Sequence, residues 1–212
     1  MPDVPEPAFR GETNRVGHYR SAATLADDPA GLTCSVDAGM KWAVEGRASA
    51  LIGYPTFESA AESVKAGRHD AFLVAGAYPE IRSFFFDPEL KAVEAFIATL
   101  PDMVLAAPDQ NANGATEFSR IYHHPATVPL LATISRSSLS QTEQVTSNSL
   151  ACRRAMAETG KAAAITNAIC AEHYGLSVID VLSAGTPMSF VVFERSEGSP
   201  DRRSEEMRGV HR

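Results

Sequence analysis

Four short clusters hold the side chains best suited to chemistry in this chain. Thr33-Cys34-Ser35 and Ser147-Asn148-Ser149 each put hydroxyl or amide groups just ahead of a helical pattern. The first N–H groups of a helix have no intrahelical partner, so such a helix start can bind a carboxylate or phosphate. The same residues serve equally as ordinary caps, and spacing does not separate the two roles. His123-His124 stands at a strand-to-helix junction, followed by Pro125, which suits a first helical turn. A histidine pair by itself is commonly structural; at such a junction it faces a ligand. Gly76-Ala77-Tyr78 follows the apolar run Ala71 to Ala75, at the carboxyl end of a strand, where open α/β sheets place ligands.

The elements that must position these groups are legible as patterns. Tyr54-Pro55 is a turn signal and Thr56 an N-cap; Phe57, Ala60, Ala61 and Val64 then recur at helical spacing, with Glu58, Glu62 and Lys65 opposite. The loop beginning at Asp28 leads into an expected helix from Val36 to Val44, with Val36, Met40 and Ala43 on its apolar face. Buried strands are expected at Ala71 to Ala75, Met103 to Ala107 and Ala162 to Thr166. Glu89 to Ala98 reads as helix or strand, and Val178 to Leu182 and Ser189 to Glu194 as strands. Gly185 to Met188 reads as a loop at the mouth of the site. A helix from Leu150 to Thr159 follows Ser147-Asn148-Ser149, and another runs from Asn167 to His173, capped by Gly175. Three helix starts pointed into one cleft would suit a small ligand with more than one carboxylate. There is no Gly-rich phosphate loop with its lysine, no metal-spaced histidine pair and no nucleophile elbow.

Bulk properties narrow the class. With 212 residues and a net charge of −7, the chain can build one large domain or two small lobes, and it lacks the basic field that holds nucleic acid or an anionic membrane. Three widely spaced cysteines give no disulfide framework and no metal site. No signal-peptide pattern or bilayer-length apolar run is evident. A cytoplasmic setting is therefore expected. Residues 1–13 read as a flexible arm, 110–117 as part of a polar surface loop, and 196–212 as a disordered tail. His69 reads as solvent-exposed, and no internal repeat stands out.

The order of these pieces resembles the catalytic domain of prephenate dehydratase. The matching stretches are DPAGLTCS, PTFESAAESVKAGRHDAFLV, HHPATVPLL, SNSLA and AAAITNAICAEHYGL. The resemblance implies an α/β, two-lobed fold of the type II periplasmic-binding-protein kind, with a cleft between the lobes. Lobe one would span about 14–90 plus 178–195, lobe two about 91–177, forming one catalytic domain without a regulatory ACT domain. A homodimer is the expected assembly.

Two departures redirect the functional expectation. Where dehydratases carry Thr-Arg-Phe before the last strand, this chain has Met188-Ser189-Phe190; where they carry Glu-Asn-Ser, it has Ala77-Tyr78-Pro79. A thioether cannot protonate a leaving hydroxyl, and a serine cannot pair a carboxylate in two-pronged fashion. Both departures resemble the non-aromatising prephenate decarboxylases of bacilysin-type antibiotic pathways, which share Thr-Phe-Glu-Ser, Ala-Tyr, a Phe-rich segment and Pro-Met-Ser plus an aromatic. Gly76 replaces a histidine of that branch, Phe190 replaces a tryptophan, and the first loop is longer. The resemblance implies a cofactor-independent carboxy-lyase with no metal, acting on a prephenate-like dicarboxylate. Tyr78, His124, Met188 and Ser189 would be its catalytic residues. Thr33, Cys34, Ser35, Thr56, Ala77, Ser147, Asn148, Ser149 and Phe190 would bind substrate. Alternatives are a lyase or isomerase for another cyclohexadienyl or keto-acid substrate, a residual dehydratase, and a non-catalytic carboxylate-binding module.

Overall fold

Among the described residues, short apolar runs, several of them rich in alanine, form ten strands in two five-stranded sheets. The computed structural model describes residues 18–26, 31–109, 118–134 and 141–197. The expected N-terminal arm, residues 28–30 of the first loop, the loop at 110–117 and the tail beyond 197 lie outside them.

The first sheet contains β1 (Ala22–Leu25), β2 (Leu51–Tyr54), β3 (Ala71–Ala75), β4 (Leu90–Thr99) and β10 (Pro187–Arg195), in the order β2-β1-β3-β10-β4. The second contains β5 (Met103–Ala107), β6 (Arg120–His123), β7 (Thr142–Gln144), β8 (Ala162–Asn167) and β9 (Ser177–Ser183), in the order β7-β6-β8-β5-β9. Each has three parallel strands followed by a strand that runs against them and a last one antiparallel to it. The two sheets thus repeat one topology, though their sequences do not announce it. β4 and β9 each belong to the sheet opposite the one expected: β4 pairs with β10 in the first, β9 with β5 in the second. The lobe boundaries expected near 91 and 178 therefore move to the crossings between β4 and β5 and between β9 and β10. These crossings lie side by side, with the Leu100 N–H donating to the Thr186 carbonyl (3.0 Å) and the Gly185 N–H to Asp102 Oδ1 (2.8 Å).

Helix α2 (Phe57–Lys65) covers one face of the first sheet. Phe57, Ala60, Ala61 and Val64 are buried there against Phe72, Val74 and Phe193. Burial of each large apolar side chain contributes about 1.5–3 kcal/mol. The other face packs on α1 (Cys34–Trp42) through Trp42, Ala71, Leu73 and Val192. Helix α1 begins two residues earlier than its apolar pattern suggested, because Thr33 caps it. Its buried face is made of Ser35, Ala38, Gly39 and Trp42, and Met40 is exposed. After β3 comes the short helix α3 (Ile81–Phe85). In the second lobe a 3-10 turn (Pro125–Thr127) leads into α4 (Val128–Leu131), and α5 (Asn148–Ala157) and α6 (Ala168–His173) follow. Alanines on β8 and α5 let helix and sheet approach closely around Cys152 and Cys170. His69 is not simply solvated: its ring is hydrogen-bonded to Ser21 Oγ (2.9 Å) and Tyr54 Oη (3.0 Å). No helix among the described residues is long and apolar enough to cross a membrane.

Candidate functional site

The carboxyl ends of β1 and β3 in the first sheet and of β6 in the second meet at one cavity of about 380 Å³, at Leu25, Ala75 and His124. Its first-lobe wall holds Leu25, Thr33, Cys34, Ser35, Phe57, Ala75, Ala77 and Tyr78; the second lobe adds His124, Thr127, Leu130, Ser147 and Asn148. Leu100, Thr186, Met188 and Phe190 close it beside the two crossings. A second, outer hollow shares Leu25, Phe57, Tyr78 and His124 with the cavity and adds Thr56, Glu58 and Gln144.

Two helix starts open on the cavity. Thr33 Oγ1 accepts from the Val36 N–H (3.1 Å) and donates to the Leu25 carbonyl (2.6 Å). Ser147 Oγ accepts from the Leu150 N–H (3.0 Å). Both hydroxyls therefore act as caps, and a ligand there meets first-turn backbone N–H groups instead. The third helix start is only the 3-10 turn after His124, while Thr56 caps α2 in a box with Ser59 on the outer hollow. Ser149 is fully buried, with its hydroxyl against Cys170 Sγ, and is not in the cavity wall.

Cys34 joins the lobes. Its sulfur accepts from the side-chain amides of Asn148 (3.7 Å) and Asn167 (3.6 Å). Burial pushes its thiol up to about 11 against the opposing effect of the Asn167 hydrogen bond, so at neutral pH it is a packed, protonated wall group. Asn148 Oδ1 is buried and has no hydrogen-bond partner. No group of three or more potential metal ligands occurs among the described residues.

Two polar side chains stand at the boundary between cavity and outer hollow. The Tyr78 hydroxyl donates a hydrogen bond to Glu58, and its ring packs on Phe57 at a centroid separation of 4.8 Å. Burial, then the Glu58 hydrogen bond and charge, raises the Tyr78 phenol above its usual range. His124 Nδ1 accepts from the Ala126 N–H (3.1 Å). This assigns the proton of the neutral ring to Nε2.

On β10 the alternation of a strand decides which residues matter. Met188 and Phe190 line the cavity, whereas Ser189 is exposed and absent from its wall. The expected catalytic role of Ser189 has no geometric basis. Ser189 instead packs against Gly76: a Cβ at position 76 would sit 2.2 Å from Ser189 Oγ and 3.1 Å from the Ser189 carbonyl oxygen. A side chain at 76 would thus need the Ser189 hydroxyl to turn away and the β10 backbone to give slightly. Among the described residues no lysine or arginine lines the cavity. Sequence reasoning placed Glu58 on the outer face of α2 and missed its bond to Tyr78. Its position within Thr-Phe-Glu-Ser, two residues after a cap, was the available signal.

No protein-family model matches the chain, and no curated protein sequence matches it. Solved structures do. A prephenate dehydratase from Arthrobacter aurescens in complex with L-Phe superposes with a TM-score of 0.63 at 18% identity, over 84% of this chain and 61% of that one. This chain therefore matches under two thirds of that enzyme. A periplasmic VFT2 domain of BvgS from Bordetella pertussis has a TM-score of 0.52 at 14% identity, over 89% of this chain and 92% of that one. A periplasmic substrate-binding protein of an ABC transporter from Coxiella burnetii also reaches 0.52, at 15% identity, over 90% of each chain. At these identities the likeness establishes the fold: two α/β lobes of the type II periplasmic-binding-protein kind, as in prephenate dehydratase, with a cleft between them.

Proposed function

We propose that the protein is a cofactor-independent carboxy-lyase that removes the ring carboxylate of prephenate without aromatising the ring, in the manner of the antibiotic-pathway decarboxylases. The observation that carries this reading is the wall at Met188 and Phe190. A thioether and a phenyl ring stand where dehydration would need a proton donor for the leaving hydroxyl. The substrate's carboxylates lie toward the first-turn N–H groups of α1 and α5, and the reacting one lies against Met188 and Phe190. Removing that carboxylate from water favours the transition state, in which its charge disperses.

The C–C bond to the carboxylate breaks, and CO₂ leaves. The electron pair moves through the adjacent double bond, and a proton adds to the ring carbon next to the one bearing the hydroxyl. The hydroxyl stays, and the product is a dihydro-4-hydroxyphenylpyruvate. Tyr78 and His124 are acid-bearing candidates in the cavity wall. Tyr78 already donates to Glu58, so we assign the proton to His124 Nε2, with replacement from the outer hollow that His124 also lines.

The test is incubation of the purified protein with prephenate near neutral pH, with CO₂ and products followed by NMR. CO₂ with a non-aromatic, hydroxyl-bearing product is the expected outcome; phenylpyruvate would overturn the reading. A second reading, ligand binding without turnover, draws support from the TM-scores of 0.52 against two periplasmic binding domains. Unchanged prephenate that nonetheless raises the melting temperature would favour it.

A further inference from the structure

The Tyr78–Glu58 pair carries more than an assignment of the proton donor. A phenol has one proton, and here it is directed at Glu58, which lines the outer hollow and not the cavity. What Tyr78 Oη has left to offer a ligand is lone-pair density. The adjoining carboxylate makes that density more negative, and burial and Glu58 together hold the proton on Tyr78 at neutral pH. Phe57 and Phe84 pack against the Tyr78 ring at 4.8 and 6.2 Å, so the ring is fixed in this pose. Elsewhere in the cavity wall the two helix starts at Thr33 and Ser147 have the reverse polarity.

We propose that Glu58 is a specificity-determining positioning residue. By accepting the Tyr78 hydrogen bond it turns this end of the cavity into a hydrogen-bond acceptor that selects ligands with a hydroxyl remote from their carboxylates and repels those with a carboxylate there. This deepens the proposed function and rests on it for the substrate class. It also supplies a reason for the hydroxyl to be retained. Expulsion of a hydroxyl needs a donor to its oxygen, whereas Tyr78 accepts a hydrogen bond from it.

The test uses two keto acids that differ in a single group, 4-hydroxyphenylpyruvate and phenylpyruvate, neither of which can lose a ring carboxylate. Isothermal titration of the wild-type protein should give about tenfold tighter binding of the hydroxylated probe. In Glu58→Gln the amide can donate to Tyr78, freeing the phenolic proton to face the cavity, and the preference should fall to about twofold or less. Tyr78→Phe should abolish it in the same way, so the inference does not hang on one variant. Equal wild-type affinities, no measurable binding of either probe at millimolar concentration, or an undiminished preference in Glu58→Gln would each overturn it. Turnover of prephenate is read separately. CO₂ release without hydroxyl preference removes this inference and leaves the reaction, while preference without CO₂ release does the reverse.

Discussion

On the proposed reading His124 does two jobs with two ring nitrogens, and substitutions can pull them apart. Nδ1 accepts the Ala126 N–H and caps the 3-10 turn, while Nε2 carries the proton proposed for the reaction. Asparagine can place its side-chain oxygen where Nδ1 stands, so His124→Asn should keep the cap, with a loss of under about 0.5 kcal/mol. It should still lower kcat by roughly 10²–10⁴-fold, because it has no proton to give at the ring carbon. His124→Ala should lose both, adding about 1 kcal/mol of destabilisation. Paired melting curves and CO₂ release rates check this. An asparagine variant with wild-type turnover would remove His124 from the chemistry. At this scale the sequence was informative where a side chain's type restricts its role: His124, Tyr78, Met188 and Phe190 all line the cavity. It misled at Ser189 and Ser149, because a one-residue step along a strand or helix turns a side chain away, and composition does not reveal that turn.

The elements were easier to read than their partners. Local periodicity specifies α2 and β3, because Phe57, Ala60, Ala61 and Val64 form one stripe and Ala71 to Val74 form a doubly buried run. Sheet membership of β4 and β9 depends on pairings more than 80 residues apart for β10 with β4, which no local pattern encodes. One long-range anchor gives a prediction at this scale. Asp70, just before β3, accepts from the Arg20 guanidinium (2.8 Å) and from the Arg20 and Ser21 backbone N–H groups. The Arg20 side-chain hydrogen bond leads the effects that lower the Asp70 carboxyl below its usual value of 3.8. A depressed carboxyl stabilises the fold above its unfolded pKa, and that contribution disappears as pH falls through the folded value. Asp70→Asn should therefore lower the melting temperature at pH 7. The difference from wild type should shrink as the pH drops below about 4. A gap that stays constant down to pH 2 would show that packing, and not the charge, ties β1 to β3.

For the whole molecule the question is how a chain of net charge −7 would admit the anionic substrate proposed. A binding site built on arginine draws a carboxylate in through a long-range field that salt weakens. Here no lysine or arginine lines the cavity among the described residues. Helix starts act only over the first turn, so their attraction is short-ranged. A doubly charged ligand therefore approaches against the net field of the protein and is held only once it lies between the lobes. Screening should help the approach and change the bound state little, since a buried contact feels salt less than an exposed one. Stopped-flow association of prephenate should accordingly speed up by roughly twofold or more between 10 and 150 mM NaCl, with a nearly constant dissociation rate. An arginine-lined cleft would show the opposite, with association slowing as salt rises. If association slows here, a cationic field attracts the ligand, and the helix starts of α1 and α5 are not what draws the carboxylates in.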